Sequence, residues 1–410
     1  MTSTAQTDER VAMDGGKRRP SKALLLLAVA MAATGGTIVW ARTFVDLRHT
    51  ELFMQDWFVY YAAGAAARAG KVALLFDGRA FTAFQYMLLR PWFVVPPSLH
   101  PWLYPPPFLL LLAPLSVLSF PVSYAVFQLA SGAAALTALA WRQARRDFAW
   151  WSALLLLFFP ATADEALAGQ NALLTGALII GGMRALATSP ALAGTLLGAV
   201  TYKPQLFVMV PVALIARREW RALAFACISA TLLCLISTLV FGPQSWWLWF
   251  EQVVHGGDPA QAQWYGQTFL TGYSFYVCAI LGGLGPLGAK LVQGVAALAA
   301  AGAVWWSHRR TCTDDVRLGI LLVATVMATP HLQAYDMLLL GAAAILFFVR
   351  SRDGIDGFEL ALFAGTWMLP LLRPSVTPAG IYVIPVVLTG LLVEGVRRTN
   401  AQPRPSGKPD

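Results

Sequence analysis

Charge is what this sequence has least of. Asp, Glu, Lys and Arg make up 12% of its 410 residues, against 57% hydrophobic ones, where an ordinary soluble domain is about 25% charged. With many long apolar runs and a mean hydropathy of +0.60, that shortage excludes a soluble domain and implies an all-α polytopic membrane protein. Cysteine is scarce as well. Cys227, Cys234, Cys278 and Cys312 show no CxxC spacing and no even framework in a short loop. Cys227 and Cys234, two turns apart in an apolar run, read as small packing residues. There is no HExxH, no close carboxylate pair around Asp56 and no nucleotide-binding glycine loop. A nucleotide-hydrolysing pump is therefore excluded, and neither a metal nor a cofactor is expected.

What charge there is sits in a few places. The net charge is +9, but the basic residues form short clusters between apolar runs, as in cytoplasmic loops under the positive-inside rule. A nucleic-acid partner does not fit that distribution; the lipid bilayer does. Residues 1–21 are a polar tail containing Lys17-Arg18-Arg19. The apolar run that follows, 23–41, is too long for a signal peptide and reads as an anchor with its N-terminus in the cytoplasm. Residues 398–410 read as a disordered cytoplasmic tail.

Between them, 22–397 reads as one membrane domain. Candidate spans are 22–42, 104–120, 123–141, 148–162, 171–187, 190–202, 204–216, 221–241, 272–284, 286–307, 317–329, 335–349, 358–371 and 379–396, of which roughly 10–13 cross fully. Arg142–Arg146, Arg217–Arg221, Arg309–Arg317, Arg350–Arg352 and Arg397–Arg398 should face the cytoplasm. The loop 43–103 and the turns at Lys203-Pro204 and Pro330-His331 then fall on the other side. One segment disturbs the alternation. Pro105, Pro106, Pro107, Pro114 and Pro121 crowd 104–120, which reads as broken or re-entrant; the alternative puts Arg142–Arg146 outside. In the loop 43–103, residues 56–69 and 78–90 read as amphipathic helices on the membrane surface, rich in aromatics. A second aromatic loop, 242–271, carries Trp246, Trp247, Trp249, Trp264 and Tyr265.

The polar residues that interrupt this apolar chain are the candidates for chemistry. Asp56 and Tyr60 lie one helical turn apart, followed by alanines and glycines that would let another surface approach closely. Asp56 reads either as a helix cap or as a general base beside a hydroxyl. Lys203, followed by Pro204-Gln205 between two apolar runs, is a snorkelling anchor or the partner of a phosphate or carboxylate. Gln170 and Asn171 cap a helix or bind sugar hydroxyls. Pro330-His331 to Tyr335-Asp336 place a histidine, Gln333, a tyrosine and an aspartate at the mouth of another helix. Ionisable residues in such a position are functional candidates, although a lone histidine is often structural.

These motifs occur in a familiar order. Asp56 with Tyr60-Tyr61-Ala62-Ala63, Tyr104-Pro105-Pro106-Pro107-Phe108 with Pro114-Leu115, Gly169-Gln170-Asn171, Ala193-Gly194 leading to Tyr202-Lys203-Pro204, and Arg217-Arg218-Glu219-Trp220-Arg221 together resemble glycosyltransferase family 87, over most of residues 51–345. The resemblance implies a GT-C-type fold and an inverting transfer of a sugar, typically mannose, from a polyprenyl phosphate to a lipid or glycan acceptor. The expected place is the extracytoplasmic face of the plasma membrane. It implies Asp56 as catalytic base and Lys203, with His331, on the donor phosphate; the tryptophan often found beside that histidine is absent. Tyr60, Gln170, Asn171, Gln205 and Asp336 would orient sugar or acceptor. No metal is required with a phosphate leaving group. A transporter or flippase of lipid-linked sugars is the alternative, but the chain shows no internal repeat of the kind such folds carry.

Overall fold

The computed structural model describes residues 55–92, 99–141, 146–257, 259–349 and 356–400. The predicted span 22–42, the tail 1–21 and most of the C-terminal tail lie outside the described residues. Among those described, every regular element is helical.

The first helix, α1 (Gln55–Arg68), carries Asp56 in its first turn. It is not the surface helix that the sequence suggests. Trp57, Phe58, Val59, Tyr60, Ala62, Ala63, Ala66 and Ala67 are all buried, so the alanine run is one packed face after another. A Cβ on Gly64 would overlap the carbonyl of Leu112, which is the close approach that its small residues allow. By contrast α2 (Gly78–Leu89), capped by Asp77, is amphipathic as predicted, burying Phe81, Gln85 and Leu89 and exposing Met87 and Leu88.

The proline-rich segment resolves the alternation. After Tyr104 the chain makes one 3₁₀ turn and a seven-residue helix, α3 (Leu109–Leu115), about 10 Å long against a hydrocarbon core of about 30 Å. It packs on α1 and then turns, the carbonyl of Leu118 accepting from the Tyr61 hydroxyl at 2.9 Å. The segment 104–120 therefore stays at one end of the molecule. From there α4 (Phe120–Ala140) runs to the other end, and α5 (Arg146–Leu157) returns. A short helix, α6 (Pro160–Ala168), leads into α7 (Ala172–Ala185), which descends; α8 (Pro190–Gly198) climbs to Lys203, and α9 (Met209–Ala216) descends to Arg217.

The 22-residue α10 (Trp220–Phe241) returns to the first end. Residues 242–271 are not an irregular loop. They form two helices, α11 (Gln244–His255) and α12 (Pro259–Phe269). The next predicted span is also too short, since α13 (Phe275–Leu281) has seven residues. Then α14 (Pro286–His308), α15 (Asp314–Ala328), α16 (Leu338–Ala344), α17 (Gly357–Met368) and α18 (Pro378–Asn400) alternate in direction. The last helix extends through Asn400, with Arg398 bound to Glu394 at 2.8 Å, so order persists beyond the predicted boundary at 397.

Four of these helices, α4, α10, α14 and α18, are long and apolar enough to cross a bilayer alone, and shorter apolar helices accompany them. The chain is an all-α polytopic membrane protein. Its long helices lie at the periphery. Only 11% of the apolar window of α10 is buried, and Leu239 is 84% exposed, a side chain that lipid rather than water must meet. At the centre α15 is buried along almost its whole length, with α16 against it. The buried apolar residues form two clusters. One is built on α7, α15 and α16, the other on α1, Trp102, Phe108 and Leu112.

Candidate active site

The polar residues gather at the seam between those two clusters. Their placement begins with α6, which ends at Gly169 in a left-handed conformation (φ 73°) with its N–H on the carbonyl of Glu165. A side chain there would also overlap Cβ of Trp57. Glycine is needed on both counts. The turn delivers Gln170 and Asn171 to the seam. Glu165, fully buried, then reaches across to cap α7, its carboxylate accepting from the N–H groups of Ala172 and Leu173 at 2.9 and 3.2 Å. Burial pushes this carboxyl up to about 8, opposed by those two donors. A third contact comes from α4, where Gln128 donates to the carbonyl of Gln170 at 2.9 Å.

From this turn one continuous hydrogen-bond network extends in both directions. Gln170 Oε1 lies 2.6 Å from the Tyr60 hydroxyl and 3.2 Å from that of Tyr104, and the two hydroxyls are 2.6 Å apart. Asp56 lies beside the same glutamine, whose side chain favours the ionised carboxylate. Asn171 Nδ2 donates to the Tyr60 hydroxyl at 2.9 Å, and its Oδ1 accepts from Lys203 Nζ at 3.1 Å. Lys203 donates again, at 2.6 Å, to Asp336 Oδ1. Its ammonium lies 5.3 Å from the centre of the Tyr335 ring, so two of its three N–H groups are engaged and the cation is compensated.

The structure thus brings Asp56, Tyr60, Gln170, Asn171, Lys203 and Asp336 together from four separate parts of the chain. His331 sits beside them, stacked on Tyr265 and Phe269 at 5.6 and 5.0 Å. Its Nδ1 is buried with no hydrogen-bond partner among the described residues. Burial lowers its pKa, which keeps the ring neutral, with Asp336 and Lys203 acting in opposite senses. Gln205 stands apart: its backbone carbonyl accepts from Thr329 at 3.1 Å, and its side chain is outside the network.

Asp56 itself keeps some accessible surface, unlike most of α1. Burial raises its pKa above the ordinary 3.8; the Gln170 side chain, His100 and Lys203 pull it back. Asp164, on α6, is a second partly accessible carboxyl whose pKa burial pushes up to about 6, offset by Arg373. Sequence reading did not single out His100, Tyr104, Asp164 or Arg373 as site residues, and it took Tyr335 only as part of the polar cluster after Pro330. Tyr104 and Tyr335 stood inside quoted motifs. His100 and Arg373 gave no signal, because each is an isolated polar residue in a segment without periodicity.

The aromatic frame around the network is dense. The Tyr60 ring meets Trp57, Trp102, Tyr104 and Phe108 edge-on at 5.2–6.4 Å. Over it, α11 fastens the segment before the prolines, with Trp249 Nε1 on the carbonyl of Leu103 at 3.2 Å and Gln252 Nε2 on that of Trp102.

A many-helix membrane domain with a charged, hydroxyl-lined cluster at one end of its spans is the setting of a membrane glycosyltransferase. The family model for glycosyltransferase family 87 matches residues 102–332, more than half of the chain, and the chain belongs to that family. Gln170, Asn171, Lys203 and His331 fall inside the matched stretch; Asp56, Tyr60 and Asp336 fall outside it. Neither the curated proteins nor the solved structures gave a match.

Proposed function

We propose that this membrane glycosyltransferase, of GT-C type, moves a sugar, mannose by resemblance, from a polyprenyl phosphate to an acceptor hydroxyl at the extracytoplasmic face, with inversion. The observation that carries the reading is the single network that joins Gln170, Tyr60 and Asn171 to Lys203 and Asp336, with the Asp56 carboxylate beside it. Asp56 takes the acceptor proton as the acceptor oxygen forms its bond to the anomeric carbon. The bond from that carbon to the phosphate oxygen breaks, and polyprenyl phosphate leaves with an added negative charge. The remaining N–H of Lys203 and the unpartnered His331 are the groups placed to meet that charge. A carboxyl with a raised pKa is a better base near neutral pH than an ordinary aspartate. The polar groups lie at one end of the spans, above the apolar length of α15 from Leu318 to Met327. That favours a transferase over a transporter, which needs a polar route through.

One specific observation supports a rival base. Asp164 lies inside the family match and, with a pKa near 6, is tuned close to the working range. Transfer by purified protein with short-chain polyprenyl-phosphate mannose, measured for wild type, Asp56→Asn and Asp164→Asn, decides between them. The expected result is loss of polyprenyl-phosphate release in Asp56→Asn by roughly 10²–10⁴-fold, with most activity kept in Asp164→Asn. The reverse pattern would move the base to Asp164. Near-normal release by both would sink the mechanism.

A further inference from the structure

At the ends of the helices opposite the active site, the turn after α9 and the start of α15 enclose an open cavity of about 300 Å³. It is lined by Arg217, Arg218, Glu219, His308, Arg309 and Arg317. Acidic partners account for only part of this positive charge. Arg217 pairs with Glu219 and Asp314 at 3.6 and 3.1 Å, and Arg317 with Asp314 at 3.0 Å. Among the described residues no carboxylate lies within 4.0 Å of Arg218 or Arg309.

Two further observations mark a built site rather than a solvated basic face. His308 is 4% exposed, and its Nδ1 lies 2.9 Å from the carbonyl of Val304. A carbonyl only accepts, so Nδ1 carries the proton and Nε2 is the free ring nitrogen. Nε2 has no partner, and neither does the buried Nε of Arg317. One unmatched acceptor and one unmatched donor, both closed to solvent, therefore belong to residues that line a cavity with surplus guanidinium charge. The second observation is backbone. Arg218 sits at φ 59°, the left-handed residue ending α9, where glycine is the usual choice. The chain holds an arginine in a conformation that disfavours it, and its side chain lines the cavity.

We propose that this cavity binds a phosphate-bearing anion, a phosphate monoester or inorganic phosphate. Guanidinium forks match phosphate oxygens in geometry and charge. Once the two side chains turn toward the cavity, a protonated phosphate oxygen supplies the donor that His308 Nε2 lacks, and a bare one accepts from Arg317 Nε. The volume fits a headgroup. None of these residues belongs to the transfer site, so the proposal stands or falls separately from the reaction proposed above.

The test uses the full-length protein in detergent at constant ionic strength and follows thermal unfolding by tryptophan fluorescence. Inorganic phosphate in place of chloride is expected to raise Tm by about 2–4 °C in wild type and to leave Arg218→Gly and Arg309→Ala unmoved. Glycine suits the left-handed position, so Arg218→Gly keeps its fold. Sulfate, which brings no proton for Nε2 at neutral pH, is expected to shift Tm less; an equal shift would overturn the role given to His308. A second arm compares phosphatidylcholine vesicles with and without phosphatidic acid. A shift there but not with free phosphate identifies a lipid headgroup as the source. No shift in either arm, or one that persists in both variants, overturns the site.

Discussion

Asp56 shows how a single residue can be wrong for stability and right for chemistry. Its folded-state pKa is raised. Such a group contributes stability while protonated, and that contribution is lost as pH rises through the folded value. The ionised form, which the proposed base needs, is therefore the less stable one. Asp56→Asn should abolish transfer and melt no lower than wild type; a large drop in Tm would instead make Asp56 a structural cap. The sign for activity is opposite. Transfer should fall as pH drops through a value above the ordinary 3.8, and a pH–rate profile of wild type reads that limb directly. Lys203 behaves differently, because its partner is already present. Lys203→Met leaves Asp336 buried without its cation and should cost about 3–5 kcal/mol, whereas Lys203→Met with Asp336→Leu should recover much of it. Thermal unfolding of the pair of variants checks this. Donor use can then be compared in the double variant without confusing lost binding with lost structure.

At the scale of elements, the turn between α6 and α7 does the positioning. Gly169→Ala forces a side chain into a left-handed residue and onto Trp57, a cost of about 1–3 kcal/mol, and should lower both Tm and transfer, since Gln170 follows directly. Transfer per folded molecule unchanged from wild type would show that the turn does not set the site. Much at this scale was legible in the sequence. The apolar runs of α4, α10, α14 and α18 are long enough to declare themselves, and prolines marked 104–120 as broken. What misled was α1. An alanine-rich stretch beside tryptophan and tyrosine looks the same whether one face meets lipid headgroups or every face meets protein. Only the partner surface, here the Leu112 backbone, decides. The helices α11 and α12 were hidden for a related reason: clustered tryptophans announced an interface but not the backbone that presents them. Of the site, each charged or amide residue of the network was visible as a polar interruption in apolar sequence. Tyr104 and Asp164 were not, because hydroxyls and carboxyls near helix ends are ordinary until a fold crowds them around Asp56.

For the whole molecule, helix directions sort the polar groups into two populations. The proposed transfer site, α11 and α12 lie at one end; Arg217, Arg309 and Arg398 lie at the other. Single cysteines introduced at Gln263 and at Arg310, in a background without the four native ones, should react with impermeant reagent from opposite sides of the membrane. Labelling of both from one side would break the helix alternation. The same alternation has a consequence for any assay outside the cell. A sealed vesicle into which the protein inserts both ways round holds two kinetic populations, one with the proposed transfer site facing the bath and one with it facing the lumen. A water-soluble acceptor added outside meets only the first. Turnover should rise when such vesicles are opened with detergent, and the size of that rise measures the orientation of the protein.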